Sequence, residues 1–70
     1  MNYKQLASKL VRLRCKEIPR RSGGSHRKWY NPASRKGTVI PYHGKRDLKM
    51  GTVKAIIKQL GIDLDVFDGA

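Results

Sequence analysis

Acidic side chains are scarce in this 70-residue chain: 5 Asp and Glu stand against 16 Lys and Arg, for a formal net charge of +11. Catalysis by paired carboxylates therefore has little to draw on. Only one cysteine is present, Cys15, so no disulfide can form within the chain, and a reducing cytoplasm is the expected setting. Long apolar runs are missing as well. The opening stretch MNYKQLASKLVRLR has no apolar core, and neither a signal segment nor a membrane span is expected. Length excludes more: a chain this short buries only about 60% of its unfolded surface, enough for one small domain over residues 1–70 and no separate lid. Hydrophobic residues still make up 39%, so the composition is that of a folding chain despite its charge.

The charge is also uneven. Residues 1–46 hold 13 Lys and Arg with Glu17 as their lone acid, a net of +12. Residues 47–70 hold three lysines against four aspartates, a net of −1. A basic field concentrated on one part of a small domain points to nucleic acid. An anionic membrane is a poorer match, because no segment pairs this charge with a wide Leu, Phe or Trp face.

Asn2 and Gln5 have the spacing of a capping box, which predicts a helix from Tyr3 to about Leu13 or Arg14. Tyr3, Leu6, Leu10 and Leu13 share one side of it, with Ala7 at the margin, while Gln5, Lys9, Arg12 and Lys16 share another. Pro19 blocks continuation. Three strands are expected next: a short one within 15–21, one over 25–31 and one over 38–42. A turn at Ser22, Gly23 and Gly24 separates the first two. Val53, Ile56, Ile57 and Leu60 then mark a second helix from Met50 to Leu60, stopped by Gly61. In the tail, Asp63 is placed to cap a final turn that tucks Val66 and Phe67 against the core, with a frayed end as the equal alternative. The fold class expected is α+β, in the order α-β-β-β-α, with two helices on one face of a three-stranded antiparallel sheet.

Reactive groups are few. Cys15, His26 and His43 lack metal-ligand spacing, and no phosphate-binding loop pattern occurs, so neither a metal nor a small-molecule cofactor is expected. His26 follows Gly23, Gly24 and Ser25 and precedes Arg27 and Lys28. Strand alternation puts His26, Lys28 and Tyr30 on one face, and Arg27, Trp29 and Asn31 on the other. An imidazole beside a glycine turn and cations suits a phosphodiester, whose charge the turn amides and cations hold while the imidazole moves a proton. The plainer reading is a surface strand histidine without a special role, and the local pattern leaves both open. Tyr30 has two readings too, a base-stacking ring or simple surface packing. Trp29 is expected in the core, and Cys15 as a small buried apolar residue. Lys9, Arg12 and Lys16 either track phosphates or form a solvated helix face.

Beyond these local patterns, GGSHRKWYNP followed by TVIPYHGKRDLKMGTVKAIIKQLGID resembles the HicA-type toxins, the RNA-cleaving halves of bacterial toxin–antitoxin pairs. Gly24, Ser25 and His26 match that family's Gly-Ser-His signature. Ile40, Pro41, Tyr42 and His43 resemble its Val-Pro-x-His segment. Asp47 to Val53 match the start of its second helix, and Ile56 to Gly61 the end. The order and spacing of these fragments carry the resemblance, which covers nearly the whole chain. Arg14 departs from the pattern, since family members often place Gly or Asn there to close the first helix in a left-handed conformation.

The resemblance implies a double-stranded-RNA-binding-domain-like fold. It further implies a metal-independent endoribonuclease that cleaves mRNA through His26 and is inhibited by a HicB-type antitoxin. Arg27, Lys28 and the Gly23–Ser25 backbone are the candidates to steady developing charge, with Tyr30, Lys9, Arg12 and Lys16 as further RNA contacts. His43 is a candidate second acid, or else a loop-closing residue. A non-catalytic RNA-binding module of the same fold is the alternative.

Overall fold

The computed structural model describes residues 1–19, 26–42 and 45–70. The turn expected at Ser22–Gly24, and with it Gly24, Ser25 and His43, lies outside the described residues.

The first helix, α1, runs from Tyr3 to Arg12. Its N-terminus is the expected capping box. Asn2 Oδ1 accepts from the Gln5 amide and Gln5 Oε1 accepts from the Asn2 amide, each at 2.9 Å, which satisfies two otherwise orphaned donors. Tyr3, Leu6 and Leu10 are buried along one side. The helix closes through Leu13, and Arg14 follows in the left-handed region at φ 67°. The Arg14 amide donates to Val11 at 3.0 Å and the Cys15 amide to Leu10 at 2.9 Å. The chain thus turns as a glycine-capped helix does, but with a Cβ that costs about 1–2 kcal/mol in that conformation.

Three strands form one antiparallel sheet in the order β1-β2-β3: β1 Lys16–Ile18, β2 His26–Asn31 and β3 Lys36–Pro41. β1 lies within the range expected and ends at Ile18, where Pro19 lacks the amide needed to extend the ladder. β3 starts two residues earlier than expected. In register, Glu17 faces Trp29 and Trp29 faces Thr38, while Arg27 faces Ile40. These residues share the inner face, where Trp29, Thr38 and Ile40 are buried.

The second helix, α2, spans Met50–Gln59 and buries Val53, Ile56 and Ile57. It stops at Gly61, whose φ of 67° and crowding against Ser34 leave no space for a Cβ. The carbonyl of Leu60 at this end accepts from Asn31 Nδ2 at 2.8 Å and from Ser34 Oγ at 2.6 Å. The loop between β2 and β3 is thereby clipped to the end of α2. Thr38 Oγ1 adds a bond to Gln59.

Asp63 caps a further short helix, α3, over Leu64–Asp68, accepting from the Asp65 amide at 2.8 Å. Phe67 is buried as expected. Val66 is not: it is 55% exposed, because one helical turn cannot direct neighbouring positions 66 and 67 to the same side. The architecture is the α+β arrangement expected from the periodicities and double-stranded-RNA-binding-domain-like as the resemblance implies, with α3 added to the helical side. Among the described residues, no helix is long and apolar enough to cross a membrane.

Trp29 Nε1 donates to the Tyr3 hydroxyl at 3.1 Å, and that hydroxyl donates to Glu17. The network joins α1 to β1 and β2. Burial pushes the Tyr3 phenol up to about 12, and the bond to Glu17 adds to the rise.

Two predictions follow from these backbone and side-chain environments. Arg14→Gly should raise stability by about 0.5–1 kcal/mol, the relieved left-handed penalty less the added entropy of the unfolded chain; urea denaturation reads this directly. The neutral Tyr3 phenol contributes stability in full below the unfolded value of 10.0. That contribution, about 2–3 kcal/mol, is lost as pH rises from about 10 towards 12. Denaturation at pH 9 and pH 12 should show a steeper loss for wild type than for Tyr3→Phe.

Candidate nucleic-acid interface

Helices cover the inner face of the sheet, and the outer face is open. Because alternate residues of a strand point to opposite sides, burying Trp29 and Asn31 turns His26, Lys28 and Tyr30 outward. Cross-strand pairing assembles their neighbours. Lys16 and Gly37 flank Tyr30, Ile18 and Val39 flank Lys28, and Pro41 lies opposite His26. His26 and Lys28 are exposed and Tyr30 is half-buried. Ile18 and Val39 are 39% and 49% exposed. No described strand position on this face carries an acid, since Glu17 points inward to Tyr3. The outcome is a cationic face with apolar side chains at its middle and an imidazole at one end.

The expected RNA-contacting residues separate into three groups. His26, Lys28, Tyr30 and Lys16 share the open face. Lys9 and Arg12 belong to the helical layer, along a groove of about 500 Å³ on α1 that Lys4 and Ser8 also line. Lys9 is engaged there: its Nζ donates to the Phe67 carbonyl at 3.3 Å and stands 4.7 Å from the centre of the Phe67 ring. It supports the C-terminal end of α3.

Arg27 forms the third group, on the inner side of the sheet. Its guanidinium carbon lies 5.0 Å from the centre of the Tyr42 ring, and its Nε is buried with no hydrogen-bond partner among the described residues. Tyr42 meets Tyr3 edge to face, with centroids 5.0 Å apart and planes at 87°. A chain of contacts therefore runs from Arg27 through Tyr42 and Tyr3 to Glu17 and Trp29, beneath the end of β2 that carries His26. Sequence reasoning assigned Tyr42 and Glu17 no part. Alternation could have paired Glu17 with Trp29, but only once the β1–β2 register was known.

The described residues thus form a small α+β domain with a basic open sheet face and an exposed strand histidine. Its family is defined by sequence: residues 3–62 match the model described as the HicA toxin of bacterial toxin–antitoxin systems. The chain belongs to that family, and membership implies an antitoxin partner. No curated protein and no solved structure matches it.

If the ring contacts hold this end of the sheet to α1, Tyr42→Leu should cost about 1–2 kcal/mol, combining an aromatic pair and a cation–π contact. Tyr42→Phe should cost under about 0.5 kcal/mol, since both contacts use the ring and not the hydroxyl. Urea midpoints for the two variants check this.

Proposed function

We propose that this chain is the toxin of its pair and acts as a metal-independent endoribonuclease on mRNA, with His26 as its catalytic base. The supporting observation is the position of His26 on an acid-free, lysine-bearing sheet face in a chain of the HicA family. RNA supplies the nucleophile. His26 takes the proton of a 2′-hydroxyl, and that oxygen attacks the adjacent phosphorus. The bond from phosphorus to the 5′-oxygen breaks, and the leaving oxygen takes a proton. The products are a 2′,3′-cyclic phosphate and a 5′-hydroxyl. DNA, which lacks the 2′-hydroxyl, is not a substrate.

Lys28 lies one alternation from His26, about 7 Å along the strand, and is suited to holding a phosphate beside the reacting one. Gly24 and Ser25 supply amides that steady the developing charge, and His43 is the candidate to protonate the leaving oxygen. Arg27 contributes through its positive field from the inner side of the sheet, where its guanidinium rests on Tyr42. Lys9 and Arg12 belong to a more distant part of the RNA-binding surface. A HicB-type antitoxin inhibits the toxin by covering the open face, with acidic side chains opposite its lysines.

His26→Ala should reduce cleavage of a labelled RNA at least roughly 100-fold, the contribution expected of a positioned base. It should also relieve growth arrest in cells, while salt-sensitive RNA binding persists. Unchanged cleavage and arrest would reject His26 as the base. Binding without cleavage by the wild type would identify a non-catalytic RNA-binding module instead.

A further inference from the structure

We infer that Tyr30 is a stacking site for one unpaired nucleobase, so that the open face takes single-stranded RNA and not duplex. The inference rests on the ribonuclease reading above for the identity of its ligand, and on the sheet for its geometry.

Tyr30 is paired across the sheet with Gly37. Its Cδ1 lies 4.0 Å from the point where a Cβ on Gly37 would stand. A Cβ there would meet the edge of the Tyr30 ring at ordinary contact distance, so the glycine leaves that ring edge uncovered on the Gly37 side. Tyr30 is only half-buried, so part of its ring remains open to a ligand. Lys16 lies opposite Tyr30 on the other flank, and Ile18, Lys28 and Val39 form the next row towards His26.

The chemistry of this surface separates single strands from duplexes. A duplex presents phosphates and sugars outward and hides the faces of its bases; it gains nothing from Ile18, Val39 or an exposed ring. An unpaired strand offers both phosphates for Lys16 and Lys28 and base faces to cover the apolar centre. Distance then assigns a place along the RNA. Tyr30 is four residues from His26, about 13 Å at the strand rise. That spacing sets the stacked base roughly two nucleotides from the bond at His26.

The test is fluorescence anisotropy on the 70-residue chain carrying His26→Ala, so that the RNA stays intact. Its probe is a fluorescein-labelled oligoribonucleotide, alone or annealed to its complement. We expect the single strand to bind at least tenfold more tightly than the duplex. Tyr30→Leu, which keeps an apolar side chain beside Gly37, should weaken single-strand binding roughly 5- to 100-fold, the range for stacking one base on an aromatic ring. Tyr30→Phe should bind within about twofold of the parent, and neither variant should alter duplex binding. Separately, Lys28→Ala should reduce the slope of log affinity against log salt by about 0.7.

Equal affinity for single strand and duplex overturns the inference, as does Tyr30→Leu binding like its parent with circular dichroism unchanged. Binding of neither RNA also overturns it and turns the face over to a protein partner. The ribonuclease reading is judged separately with the His26-containing chain. Cleavage with Tyr30-independent binding removes the stacking site alone. Tyr30-dependent, single-strand-selective binding without cleavage keeps the site and removes the ribonuclease.

Discussion

Trp29 is buried beneath α1 with its indole N–H on the Tyr3 hydroxyl, and the open face depends on that contact. A strand offers no intermediate choice: once Trp29 points inward, His26, Lys28 and Tyr30 must point outward. Glu17 reinforces the same choice from β1. By accepting the Tyr3 hydroxyl, it holds β1 in the register that brings Lys16 and Ile18 outward. The one acid of the basic segment is thus placed where it organises the sheet without neutralising its outer charge. A slip of one residue would bury the lysines and expose the tryptophan.

A second constraint acts where β2 ends, against the end of α2. Asn31 donates to the Leu60 carbonyl at the end of α2 and also accepts from the Ala33 amide at 3.1 Å. Ser34 donates to the same carbonyl, and Gly61 has no Cβ to obstruct the approach. Helix termination and loop closure are therefore one event. This clip holds β2 at Asn31 and the Tyr3 network holds it at Trp29, so its outward residues are carried by a braced strand.

Much of this was legible in the sequence because it is periodic. The capping box at Asn2 and Gln5, the stripe of Tyr3, Leu6 and Leu10, and the spacing from Val53 to Leu60 each announce a helix and its buried side. Alternation through His26–Asn31 correctly assigned the outward residues. What stayed hidden depends on register and on long-range contact. Glu17 acquires its role only when Tyr3, fourteen residues away, meets it. Lys9 looked equivalent to Arg12 on the helix, but α3 folds back and engages it through Phe67. Val66 was misjudged because a single short turn has room for only one inward side chain. Arg14 shows the opposite lesson: the backbone adopts the left-handed cap even where the residue type disfavours it, since the Cys15 amide still reaches Leu10.

These constraints give the excess of positive charge a structural division. One share lies in the helical layer, where Lys9 is occupied in supporting α3, and another on a flat face that ends at His26. If that face cleaves RNA with the neighbouring 2′-hydroxyl as nucleophile, chemistry at the cut ends is the most direct record of it. Mass spectrometry of products from an RNA with one 2′-O-methyl nucleotide provides that record. The account predicts 2′,3′-cyclic phosphate and 5′-hydroxyl ends at every cut, and no cut at the bond following the methylated sugar. Products with 3′-hydroxyl and 5′-phosphate ends, or cleavage after the methylated sugar, would contradict it.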